Sequence, residues 1–289
     1  VNMGKKFGDR RDGTRIKMGG FERVLYFLKT KRSESEVYIS RKIDVSNLVK
    51  YMEDKKKENE RITYFHLFSM AIAKVLYNEK ILNRFIIGGH KYQRNEVTLS
   101  FVAKTDFTDE AKEFMSVIRV DSDDNVNTLS KKISGDVKKI RSNQGSGADK
   151  FVQLLDKMPK FVIAIIVWIA KRLDNHDLLP QSLTKDVIYH SSVILSNLGS
   201  IHCGGIYHNL TNFGTNSILA TMGEIKKEAM VIDGKVVIRD VCEFGITLDE
   251  RIADGVYFAK CVNLLEYILN NPQLLEDDAS AKIIIDKNK

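Results

Sequence analysis

His190-Ser191-Ser192-Val193-Ile194-Leu195-Ser196-Asn197-Leu198-Gly199 is an apolar run framed by small polar residues; further along the chain comes Thr247-Leu248-Asp249-Glu250-Arg251-Ile252-Ala253-Asp254-Gly255. Short apolar runs that stop on small polar residues read as buried strands that deliver side chains to an edge or a cleft. Sites are usually built at such places. Between the two segments the sequence is strand-like at Ile206 to Phe213, Ser217 to Met222, Met230 to Ile232, Val236 to Ile238 and Glu243 to Leu248, with Asp233-Gly234 as a hairpin turn. Val256 to Asn270 then forms a long closing helix with Phe258, Val262, Leu265 and Ile268 on one stripe.

Working backwards, Phe21 to Lys29 reads as a short amphipathic helix and Val37 to Val45 as a strand. Asn47 to Lys57 forms a surface helix, and Thr63 to Leu76 a stronger one. A two-glycine hairpin falls at Ile86 to Tyr92, strands at Val97 to Lys104 and Met115 to Val120, and a polar helix at Asn127 to Arg141. Ser142 to Ala148 has glycines but no following Lys-Ser/Thr, so it reads as a linker and not as a phosphate-binding loop.

With 289 residues, 43% hydrophobic and 29% charged, the chain has material for one large packed domain. Three cysteines without paired or metal-ligand spacing fit a reducing cytoplasm and no metal. A net charge of +7 favours anionic partners in general. The basic stretch Gly4 to Lys17 has no aromatic stacking platform, so it reads as a solvated arm, or one draped over a neighbouring subunit, and not as a nucleic-acid-binding element.

The two quoted segments resemble the catalytic core of the 2-oxo acid dehydrogenase acyltransferases and of the chloramphenicol acetyltransferases. Ser196-Asn197-Leu198-Gly199 matches the family's strand end, and Asp249, Arg251, Asp254 and Gly255 match its Asp-His-Arg-x-x-Asp-Gly signature, with Glu250 in place of the histidine. The resemblance runs from about Ile39 to Glu276, weakly in the first half. It implies an α/β two-layer sandwich, with a mixed sheet and helices on one face, that assembles as a homotrimer. Residues 1–20 are then a basic arm, 21–276 the catalytic domain with an apolar insertion at about 151–185, and 277–289 a charged tail. The ligand implied is coenzyme A, entering as acyl-CoA. No lipoyl-lysine motif or Pro/Ala-rich linker is seen ahead of the core, so a free-standing member is expected.

Acyl transfer from a thioester needs a base for the attacking thiol or hydroxyl and a donor for the oxyanion. By resemblance Ser196 is that donor, with Asn197 beside it; Asp254 buttresses the loop, and Asp249 and Arg251 support it. Ser196 read by itself is equally a serine satisfying backbone groups at a strand end. Glu250 occupies the base position. A carboxylate near its reference value of about 4.3 is poorly matched to that proton unless burial raises it. A guanidinium folded back from Arg251 would lower it, although neighbours on an extended strand face opposite ways. His190, His202 and His208 are the candidate substitute bases, each also readable as structural, as are His66 and His90. Two accounts stay open: a working acyltransferase, or an inactive scaffold or acyl-CoA-binding protein.

One segment departs from the resemblance. Phe161-Val162-Ile163-Ala164-Ile165-Ile166-Val167-Trp168-Ile169-Ala170 is flanked by Lys160, Lys171 and Arg172. Ten helical residues rise about 15 Å, half of what spanning a bilayer requires. A helix apolar all round is normally buried, which predicts burial in the core or against another subunit. The alternative is a weak membrane-surface contact through residues 158–172, peripheral to the membrane from the cytoplasm.

Overall fold

The computed structural model describes residues 8–57, 62–104, 113–141 and 158–285. The Ser142–Ala148 linker and the end of the charged tail lie outside them. The strands among these residues are β1 (Gly13–Ile16), β2 (Glu36–Asp44), β3 (Arg84–Ile87), β4 (His90–Arg94), β5 (Val97–Lys104), β6 (Glu113–Val120), β7 (Val193–Asn197), β8 (Ile218–Ile232) and β9 (Lys235–Asp249). The helices are α1 (Gly20–Leu28), α2 (Ser46–Lys57), α3 (Tyr64–Asn78), α4 (Val126–Arg141), α5 (Lys160–Asn175) and α6 (Gly255–Asn270).

Six strands form a mixed sheet in the order β2-β9-β8-β7-β5-β6. β7 lies parallel to both β5 and β8, and the other pairings are antiparallel. One face is covered by α2, α3, α4 and α6, whose apolar stripes meet Val193, Leu195, Met222, Phe244 and Leu248 in a single core. α3 is the centre of that layer: Thr63 caps its start, and every residue from His66 to Leu76 is buried. Even Lys74 is enclosed, its Nζ donating to the Asp278 carbonyl at 2.6 Å. The result is the two-layer α/β sandwich expected from the sequence, with a small separate sheet, β1-β4-β3, at one end.

Four expectations are corrected. The basic N-terminal segment is no free arm over residues 10–16. β1 pairs with β4, Gly13 lies so close under the Phe85 ring that a Cβ there would meet it at 2.7 Å, and Arg11 Nε reaches Asp177 Oδ1 at 2.9 Å. The separate short strands read at Met230–Ile232, Val236–Ile238 and Glu243–Leu248 are parts of two 15-residue strands, β8 and β9, whose tip runs past the core with Val231, Val236 and Ile238 exposed. The Asp233-Gly234 turn is as expected, both residues at positive φ.

The strand expected at Ile206–Phe213 is an irregular segment that crosses the sheet. The glycines are the physical reason: an added Cβ on Gly245 would meet the Ile206 carbonyl at 2.3 Å, and one on Gly223 the Gly205 nitrogen at 2.6 Å. Thr221 Oγ1 then accepts from Ile206 N at 3.1 Å and donates to Ile206 O at 2.5 Å. The fourth concerns α5: of the two burials expected, that in the core of the protomer does not occur, with Phe161, Ile165, Trp168 and Ile169 all exposed. Its only buried residue is Asp174, because the helix is held by its polar C-terminal end.

The crossing depends on bare backbone, so Gly245→Ala should push the 204–206 segment off the sheet. The expected loss is on the order of 1–3 kcal/mol in urea unfolding, with faster proteolysis between Gly199 and Thr215.

Candidate active site

Ser196 sits near the carboxyl end of β7, on the side of the strand opposite Val193 and Leu195, which point into the core. It is half-buried in a cleft of about 820 Å³. Asn197, Ser200, His208, Asn209 and Thr211 share that cleft, with Phe65, Phe101 and Leu219 as apolar wall. Polar groups convergent on a partly apolar cleft at the ends of parallel strands are what a ligand site in an open α/β sheet looks like. Of the candidate substitute bases, only His208 lines this cleft. His202 is exposed, left-handed at φ 57°, and held by Glu224 with Nδ1 to Oε1 at 2.6 Å.

One further histidine stands here. His66, treated as structural, also lines the Ser196 cleft. Its Nδ1 accepts the Thr63 N–H at 3.2 Å while its own N–H points to Thr63 Oγ1 at 3.4 Å, a capping box with histidine in the usual Glu/Gln position. That fixes the neutral tautomer with hydrogen on Nε2. Burial holds its pKa down at about 4. The Thr-x-x-His spacing was the available signal.

At the other end of the sheet, β9 runs out into Asp249 and Glu250. Asp249 is fully buried, and Arg251 grips it with a fork, Nε to Oδ1 at 2.8 Å and Nη2 to Oδ2 at 2.7 Å. Arg251 Nη1 also donates to the carbonyls of Lys29 and Thr30 at 3.1 and 3.3 Å, and Arg32 Nε lies 3.7 Å from Asp249. Glu250 faces elsewhere: its N–H donates to the Ser35 carbonyl at 2.9 Å and its carboxylate forms an ion pair with Lys29. Asp254 is the N-cap of α6, Oδ1 accepting from Tyr257 N at 2.8 Å. A Cβ on Gly255 would meet nothing within 4 Å, so no steric demand explains that glycine.

His190 lies before β7, at the same end of the sheet as Asp249. It is buried, its Nε2 3.1 Å from Asp174 Oδ2, with Nδ1 unpartnered. Asp174 also meets Arg10 Nη2 at 3.2 Å. Burial would raise this carboxyl, but His190 and Arg10 outweigh it and hold it below the usual range. Of the cysteines, Cys242 and Cys261 are buried and pushed up to about 12, and Cys203 is half-buried. Among the described residues no group of three His, Cys, Asp or Glu side chains could hold a metal.

The protomer does not bring the two signature segments together. Ser196 is opposite Thr221, and Thr221 opposite Gly245. At about 3.3 Å per residue and 4.8 Å per strand, the five residues from Gly245 to Glu250 and two strand spacings separate Ser196 from Glu250 by roughly 19 Å. Arg251 lines a different cleft, of about 350 Å³, with Tyr26, Thr30, Lys171 and Phe213.

This architecture is shared with acyltransferase cores. The probable dihydrolipoamide acetyltransferase of Listeria monocytogenes 4b F2365 superposes with a TM-score of 0.59 at 18% identity, covering 89% of this chain and 94% of that one. A chloramphenicol acetyltransferase gives 0.51 at 13% identity, covering 89% and 99%. At the level of sequence, residues 166–276, which hold both signature segments, match the family of 2-oxoacid dehydrogenases acyltransferase (catalytic domain). The lipoamide acyltransferase component of the branched-chain alpha-keto acid dehydrogenase complex of Bacillus subtilis (strain 168) is 22% identical over 250 residues, 83% of this chain. The chain spans about half, 49%, of that relative's length.

Two outcomes are expected. Asp249→Ala leaves Arg251 buried without its partner and should cost about 3–5 kcal/mol in chemical denaturation. His66 has its folded pKa depressed, so the unfolded chain takes up a proton below about 6.5 and the folded chain only near 4. Its contribution, on the order of 3 kcal/mol, is full above pH 6.5 and lost as pH falls toward 4. Wild type should therefore lose more stability between pH 7 and pH 4.5 than His66→Gln, measured by urea unfolding.

Proposed function

We propose that the protein is a coenzyme A-dependent acyltransferase that moves an acyl group from acyl-CoA to a thiol or hydroxyl acceptor, with each site completed by a second copy of the chain. The observation that carries this is the family match across residues 166–276, together with the two signature segments, Glu250 standing in the histidine's place, at opposite ends of one sheet. A head-to-tail homotrimer closes that gap by setting the Ser196 cleft of one copy against the Glu250 end of the next.

In this reading the Ser196 hydroxyl donates to the oxyanion as the thioester carbonyl becomes tetrahedral, with Asn197 beside it and His66 as a further donor on the same wall. Glu250 takes the acceptor's proton once its pair with Lys29 opens, while Asp249, Arg251 and Asp254 position the loop. His190, oriented by Asp174 with Nδ1 unpartnered, is the alternative proton acceptor at that end, and His208 the one on the serine side. The Lys29–Glu250 ion pair favours a second reading, an acyl-CoA-binding scaffold without turnover.

Thiol release from acetyl-, propionyl- and butyryl-CoA with a panel of acceptors tests the proposal. Ser196→Ala should slow it by on the order of a hundred- to a thousandfold, as loss of an oxyanion donor does. Glu250→Gln should abolish it, and His190→Gln should do so if the imidazole is the base. Co-expression of Ser196→Ala with Glu250→Gln should restore about a quarter of wild-type activity, because that share of mixed interfaces joins an intact serine to an intact glutamate. Turnover unaffected by both substitutions removes the catalytic assignment; no restoration on mixing removes the shared site.

A further inference from the structure

α1 and α5 stand on either side of the 350 Å³ cleft, α1 contributing Tyr26 and α5 contributing Lys171, Asp174 and Asn175. Neither helix buries an apolar side chain in the protomer. On α5, Val162, Ile166, Ala170 and Leu173 are half-buried toward the body, while Phe161, Ile165, Trp168 and Ile169 form the outward face. α1 adds Phe21, Val24, Phe27 and Leu28, all exposed. An outward face this apolar is the reverse of the usual surface helix, where that side is polar.

Charge identifies what covers it. The acidic groups on or next to these helices are already paired: Glu22 with Lys91, Asp174 with Arg10, and Asp177 with Arg11. Lys160, Lys171 and Arg172 at the two ends of the α5 apolar face, and Arg23 on α1, are exposed without an acidic partner among the described residues. The face is thus apolar in the middle and cationic at its margins, with a tryptophan on it. α5 is about 24 Å long, and no described helix is long and apolar enough to cross a membrane. A helix of that composition that cannot span lies in the plane of a bilayer surface, its apolar side at the acyl boundary and its cations on anionic headgroups.

We infer that the outward apolar face of α5, with α1 beside it, docks on an anionic lipid surface. This needs no turnover and stands apart from the acyl-transfer reading. Trp168 is the single tryptophan of the chain, so its emission reports on this helix alone. The full chain should co-sediment with phosphatidylcholine/phosphatidylglycerol vesicles at low salt, with a blue shift of Trp168 emission, and bind far less to phosphatidylcholine alone or in 0.5 M salt. Lys171→Gln with Arg172→Gln should weaken partitioning by tenfold or more. Phe161→Ser with Ile165→Ser should abolish it, with melting temperature and thiol release unchanged because both residues are exposed. The inference is overturned by absence of binding to either vesicle, or by equal binding to neutral ones. It is overturned too if Trp168 emission shifts with protein concentration without lipid and light scattering shows growth in mass, since a second copy then covers the face.

Discussion

The fork from Arg251 to Asp249 is the contact on which the Glu250 end of the molecule depends. Two charges buried at the tip of β9 are stable only as a pair with their remaining hydrogen-bonding capacity used. Arg251 meets that condition by donating to Asp249 and to the Lys29 and Thr30 carbonyls. Those carbonyls follow α1, so the fork ties the end of the central sheet to the chain's first helix across more than two hundred residues. Glu250, between the two, is held by its N–H to the Ser35 carbonyl and by its ion pair with Lys29.

The same geometry keeps the two signature segments apart within the protomer. β8 and β9 run antiparallel with β7 parallel to β8, so the carboxyl ends of β7 and β9 fall at opposite ends of the sheet. No rotamer of serine or glutamate bridges roughly 19 Å. A polar cleft at one end of the sheet and a braced carboxylate at the other can meet only across a contact between copies, and a head-to-tail contact closes into a ring where its rotation allows.

Much of this was legible in the sequence where local chemistry decides the outcome. The alternation in Val97–Lys104, the capping Thr63, the Asp233-Gly234 turn and the apolar stripe of α6 each act over a few residues, and each element formed close to where it was expected. Ile206–Phe213 misled because its β-branched and aromatic residues carry strand propensity, whereas the deciding contact, Gly245 beneath Ile206, lies some forty residues away. The structural role read for His66 holds, as a buried capping residue of α3, but its place on the Ser196 cleft was not legible. Helical spacing shows that it has no ligand partner on α3, but not that the end of β7 arrives at the same cleft.

α5 shows how composition and burial come apart. Ten apolar residues in a row imply a buried helix only if packing of that helix is what holds it in place. Here full burial and charge pairing are concentrated at one end, where Asp174 meets Arg10 and His190 and Asp177 following the helix meets Arg11, while the rest of the inward side is only half-buried. A helix fixed by a charged foot keeps its apolar length available, and the basic N-terminal segment is what supplies the foot. The stretch that reads as a solvated arm and the stretch that reads as core are therefore two halves of one device. It presents an apolar surface beside the cleft that Arg251 lines.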